Sequence, residues 1–161
     1  LQNKQWIEDT MYLQEFIVIY GEIKLERNLI ISCCPDKLEG SHKAIDIYQG
    51  RSYKLVRSET LNNIRVFILS AKYGLLKSDT MIENYELKMD EERSLELIEE
   101  GRPFNLEGQI YVYGGKNYRN VINAWFNNVI ELVGPNRGIG DHYSALKQFI
   151  EKNQNIGRLP I

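Results

Sequence analysis

Apolar residues along this chain fall into short unbroken runs that alternate with amphipathic stretches. Leu29, Ile30 and Ile31 form one run, Val66, Phe67, Ile68 and Leu69 a second, and QIYVY over 109–113 a third. Dense β-branched and aromatic runs of this length predict strands covered on both faces, here over 28–32, 65–70 and 109–113. VIELV over 129–133 predicts a fourth strand or the end of the preceding helical layer.

Between the runs the apolar spacing turns helical. Ala44, Ile45, Ile47, Tyr48, Tyr53, Leu55 and Val56 predict a helix over 43–58, weakened or bent at Gly50. Asp90 is a good cap for a helix over 90–100, with acidic residues in its first turn and Gly101 and Pro103 to end it. The acidic run of that helix reads as a solvated face. Tyr118, Val121, Ile122 and Trp125 predict a helix over 117–126, and Tyr143, Leu146, Phe149 and Ile150 one over 141–152. Residues 40–42 read as a loop, and 77–89 as a long polar connection.

Strands that alternate with helices predict an α/β fold, a three-layer α/β/α sandwich with a mostly parallel four- to five-stranded sheet. The expected organisation is an N-terminal helical extension over 1–27 that packs on the core, an α/β domain over 28–152 and a loop tail over 153–161. Trp6, Met11 and Phe16 supply the apolar face of the extension.

Composition narrows the function classes. A chain of 161 residues, 43% hydrophobic and 26% charged, suits one soluble domain with a real core. A net charge of −2 argues against a strongly basic nucleic-acid binder but leaves room for a local basic cleft. The two cysteines are adjacent, Cys33 and Cys34, so no disulfide framework is expected and a reducing compartment is favoured. Without a spanning apolar run or a signal-peptide pattern, the expectation is a cytoplasmic protein with no membrane partner. The chain starts at Leu1 rather than Met, as expected of a trimmed chain or a piece of a longer one.

The candidate chemistry gathers where the buried strands end. Ser32, Cys33 and Lys37 follow the first strand. Ser70, Lys72 and Tyr73 follow the second, with Gly74 permitting a turn of positive φ. Gly115, Lys116 and Tyr118 follow the third. In a parallel sheet these ends share one edge, where open α/β folds bind ligands. Lysines and glycine-freed amides at helix starts suit anions, phosphate above all. Gly138 and Gly140 in GPNRGIG offer a second cradle beside Arg137, with His142 in the helix that follows. This is neither a Walker sequence nor a dinucleotide fingerprint, and no cofactor is expected. Cys33 is a candidate nucleophile if His42 or His142 lies near as a base. Adjacent cysteines lack zinc-ligand spacing, so no metal is expected. Glu83, beside Tyr85, and Asp36 are the candidate catalytic acids.

ISCCPDKL, FILSAKYGLLKSDTMIENYEL, YGGKNYRNVI and GIGDHYSALKQFI together resemble a small, largely uncharacterised bacterial and phage domain family. Its pattern is Ser-Cys-Gly-x-x-Lys, then Leu-Ser-Ala-Lys-Tyr/His-Gly-Leu-Leu, Ile-x-x-Tyr, Gly-Lys-x-Tyr and a late Gly-Ile-Gly. The chain departs from it at Cys34, where the family usually has Gly. The pattern is also distantly similar to the uracil-DNA-glycosylase-like domain of archaeosine-synthesis enzymes. That resemblance implies nucleobase or nucleotide chemistry, N-glycosidic cleavage or base exchange, on a nucleotide, nucleoside or short nucleic acid. On this reading the lysines hold phosphate or ribose, Tyr73 or Tyr118 stacks on the base, and Glu83 or Asp36 handles the proton. A non-catalytic nucleotide-binding module and a structural or partner-binding domain stand beside it as alternatives. The oligomeric state is open.

Overall fold

The first predicted strand lies at the centre of the sheet. In the computed structural model, which describes residues 27–59, 61, 63–133 and 139–155, β1 (Arg27–Ser32) carries Leu29, Ile30 and Ile31 fully buried. β3 (Ile64–Ser70) and β6 (Gln109–Tyr113) flank it, both parallel to it, with Ile30 opposite Phe67 on one side and Val112 on the other. β7 (Val129–Glu131) adds in parallel outside β6. β4 (Gly74–Lys77) adds outside β3 and runs antiparallel to it. The order is β4-β3-β1-β6-β7, a five-stranded, mostly parallel sheet in a mixed α/β fold.

β3 and β4 form a tight hairpin. Gly74 takes φ 72°, the left-handed conformation that favours glycine, and the chain reverses there so that Leu75 and Leu76 return to the core. β2 (Ser41–Lys43) and β5 (Met81–Glu83) pair antiparallel in a separate two-stranded ribbon. Residues 40–42 are therefore not a simple loop, and 77–89 is not irregular throughout. Three-residue strands are too short to show a period in sequence.

The helix expected over 43–58 is two. α1 (Ala44–Ile47) ends at Tyr48, whose backbone is extended and bridges to Lys37, and α2 (Arg51–Ser58) restarts after Gly50. Arg57 stabilises the break by donating from Nη1 to the carbonyls of Ile45 and Tyr48, each at 2.8 Å. A side chain at position 50 would meet Cys34 Sγ at 3.0 Å, so close approach, and not the backbone at φ −61°, favours glycine here.

α3 (Glu91–Glu100) begins as predicted, with the Asp90 carboxylate accepting from Arg93 N at 2.8 Å. It stops at Gly101, φ 82°. α4 (Lys116–Trp125) follows β6 directly. α5 (Ile139–Asn155) runs into the stretch expected as tail. α3 packs on α4, and α2 on α5. Among the described residues no helix is long and apolar enough to cross a membrane. Residues 1–26 of the expected helical extension, Arg137 and Gly138 lie outside the described residues.

Candidate functional site

Because β1, β3 and β6 are parallel, Cys33, Ala71 and Gly114 emerge at one edge of the sheet. Cys33 N still donates to Leu69 O at 3.0 Å, so the ladder persists one residue past the strand. The half-buried Sγ accepts from Ala71 N at 3.4 Å and lies 3.1 Å from the Tyr118 hydroxyl. The thiol is thus paired with a phenol, not with a histidine. His42 Nε2 bonds the carbonyl of Glu39, and the His142 ring stands edge-on to Tyr113.

Ser70 is fully buried and ties the β3–β4 turn together. Its hydroxyl accepts from Lys72 N and Tyr73 N and lies 2.8 Å from the Tyr85 hydroxyl. Tyr85 OH is also 2.8 Å from Tyr48 OH. Ser70, expected to bind ligand, thus has its hydroxyl engaged within the protein by the turn amides and Tyr85. Ser32 is half-buried, and its Cβ and Oγ fill the space where a side chain at Gly114 would stand. Burial pushes the Tyr48 phenol up to about 12. It raises Tyr85 and Tyr118 further, helped by the charge that Cys33 carries when ionised. All three phenols remain protonated near neutral pH.

The ring of Tyr85 is a platform for charge. Lys37 Nζ stands 4.7 Å from its centroid and Lys72 Nζ 6.0 Å, and Tyr73 meets it edge-on at 5.5 Å. Lys37 also donates to Pro35 O at 3.1 Å. Two ammonium groups from two strand ends thus converge on one aromatic ring. Tyr73, 36% exposed, keeps part of its ring open to solvent.

Beside this platform lies an open cleft of about 640 Å³. Cys33, Lys37 and Tyr118 line it together with the segment Glu86–Asp90, which joins β5 to α3. That segment is held at three points. Tyr85 anchors its start through Ser70 and Tyr48, Asn117 Nδ2 donates to Met89 O at 3.3 Å, and Asp90 caps α3. Of the expected acids, neither Glu83 nor Asp36 lines the cleft. Strand alternation buries Ile82 and turns Glu83 outward, where only its backbone carbonyl meets Tyr73 OH. Asp36 is exposed, and its carbonyl is taken by Gln49 N and Cys34 Sγ. Glu86 and Asp90 are the exposed acidic residues that do line the cleft, and the Asp90 carboxylate is engaged in capping α3.

Gly115 caps the start of α4 and Lys116 opens it, both exposed. Gly140 lies in the first turn of α5. Among the described residues no three His, Cys, Asp or Glu gather in a way that could hold a metal.

Sequence reasoning missed the Glu86–Asp90 wall and also Arg93. Arg93 donates from Nε to Ala71 O at 2.7 Å and from Nη2 to Lys72 O at 3.3 Å. Its Nη1 pairs with Glu96 at 2.8 Å and Glu100 at 3.1 Å. The acidic run is therefore not merely solvated. The signal for this was the basic residue within EERSLELIEE. Arg119 holds the third strand end similarly, donating to Gly114 O while paired with Glu131.

A family model described as a family of unknown function, DUF6884, matches residues 29–148. No curated protein matches the chain.

Proposed function

The chain belongs to the family of unknown function DUF6884, and from its site we propose that it binds a nucleotide or nucleoside in the cleft at the carboxyl ends of β1, β3 and β6. The observation that carries this reading is the convergence of Lys37 and Lys72 over Tyr85. Two ammonium groups within about 6 Å of one ring make the local potential positive, which favours an anion. Tyr73 and the cleft residues Leu87 and Tyr118 offer surfaces for a planar base, whose stacking on an aromatic ring contributes roughly 1–3 kcal/mol. A cleft of about 640 Å³ has the size of small-molecule sites. Helices on both sheet faces, in three layers, would leave this edge open. The two free thiols suit a cytoplasmic setting.

A second reading, cleavage or base exchange at the N-glycosidic bond, draws on Glu86. When the bond from the sugar C1′ to the base nitrogen breaks, its electron pair leaves with the base, which takes up a proton. The sugar becomes cationic, and water or an incoming base adds at C1′. A carboxylate facing that cation stabilises it. Glu86 lines the cleft, and Glu83 and Asp36 do not.

Calorimetric titration with nucleobases, nucleosides, nucleotides and short single-stranded DNA and RNA tests both readings. A nucleotide signal that disappears in Lys37→Ala/Lys72→Ala supports binding, and equal affinity in that variant refutes it. Released base, assayed by chromatography and lost in Glu86→Gln, supports cleavage. Tight binding of a ligand that stays intact through long incubation marks a non-catalytic binding module.

A further inference from the structure

Arg93 lies outside the cleft, yet it holds the turn that carries Lys72. Its Nε and Nη2 donate to the carbonyls of Ala71 and Lys72. The amides on the other side of those residues are also taken, Ala71 N by Cys33 Sγ and Lys72 N by Ser70 Oγ. The Lys72 backbone is therefore fixed at both its N–H and its carbonyl, and α3 is bolted to the tip of β3. Glu96 and Glu100 neutralise the guanidinium and orient it, so it is not a spare cation for a ligand. The side chain is only 16% exposed. The same helix is capped by Asp90, which closes the Glu86–Asp90 wall of the cleft. One helix thereby sets the wall and the lysine-bearing turn relative to each other.

We infer that Arg93 is the positioning residue of the anion site, holding the turn that presents Lys72 to the Tyr85 ring, which Lys37 also faces. The inference rests on the reading of Lys37 and Lys72 as anion contacts. It adds that selectivity for a phosphorylated ligand over the matching nucleoside depends on a residue that touches neither.

The test measures affinity for a nucleoside 5′-monophosphate and for its nucleoside in wild type, Arg93→Ala, Arg93→Lys, Lys72→Ala and the double variant Arg93→Ala/Lys72→Ala. Arg93→Ala should weaken monophosphate binding about tenfold, the loss that one charge-assisted hydrogen bond carries, and leave nucleoside binding within about twofold. Arg93→Lys restores charge but not the fork and should fall between. The double variant should bind no worse than Lys72→Ala, because both act through one group. Equal loss for both ligands, or losses that add in the double variant, would overturn the inference.

Amide hydrogen exchange gives a readout that needs no ligand. Lys72 and Tyr73 should exchange at least about tenfold faster in Arg93→Ala while the β1 amides keep their protection. Unchanged exchange at the turn would overturn the positioning role even if Lys72→Ala still abolished binding. If Lys72→Ala left monophosphate binding intact, the anion-site reading itself would fall, and with it the inference.

Discussion

The hydroxyl groups of Ser70 and Tyr85 lie 2.8 Å apart, both removed from solvent, and this bond ties the β3–β4 turn to the wall of the cleft. Ser70→Ala removes the acceptor for two turn amides as well as this partner, and should cost about 2 kcal/mol in urea denaturation. Tyr85→Phe keeps the ring beneath the lysines and should cost about 1 kcal/mol while preserving most ligand affinity.

At position 114 a Cβ would stand 2.8 Å from Ser32 Cβ, whereas at 115 it would meet nothing within 4 Å. Gly114→Ala should therefore destabilise by about 1–3 kcal/mol, the usual cost of overpacking. Gly115→Ala should cost less than about 1 kcal/mol, a cap effect alone. Adding Ser32→Gly should recover part of the first loss and none of the second, read from paired thermal melts.

Gly50 and Cys34 form a second tight pair. Gly50→Ala should lower the melting temperature in the natural background, because Sγ stands 3.0 Å from the new methyl. It should be tolerated in Cys34→Gly, where that sulfur is gone. Equal losses in both backgrounds would show that the helix-cap position, not the thiol, decides the residue at 50.

Burial raises the Tyr48 phenol from 10.0 to about 12. A raised phenol is a stability that is complete below pH 10, where both folded and unfolded chains hold the proton. It is lost as pH climbs from 10 through 12, because the unfolded chain ionises first. The urea midpoint should fall over that interval, and Tyr48→Phe should flatten the fall.

Burial also raises the Cys34 thiol above its ordinary value. In Cys33→Ser, alkylation of Cys34 by iodoacetamide should need a higher pH than an unburied thiol needs, as followed by mass spectrometry. Half-maximal labelling at or below pH 9.0, the ordinary thiol value, would contradict this.

How much of this was legible depends on element length. The runs at 28–32, 65–70 and 109–113 became β1, β3 and β6 within a residue or so, because unbroken burial on both faces leaves a dense apolar signal. Their parallel pairing puts the residues that follow them at one sheet edge, Cys33 beside Tyr118 among them, whereas Tyr85 reaches that edge from the segment after β5. The ribbon of β2 and β5 was invisible, with three residues a strand and one buried residue, Ile82, in β5. The direction of Glu83 was hidden for the same reason, since only the pairing of β2 with β5 shows which of its residues faces inward. Arg93 was hidden by its neighbours, whose charges read as solvent-facing until the carbonyls they help to hold were placed opposite them.

The central place of β1 also sets a timetable. It is the first strand of the described chain, yet its hydrogen bonds on one side go to β3 and on the other to β6, far later in the sequence. On the ribosome, β1 and β3 can pair early, but the β6-facing side of β1 waits as an open edge until residue 113 has emerged. Long-range parallel pairing is slow, and an apolar edge invites association with other chains meanwhile. A nascent chain stalled within α3 would carry Leu29–Ile31 on such an edge, a target for chaperones that the finished protein conceals.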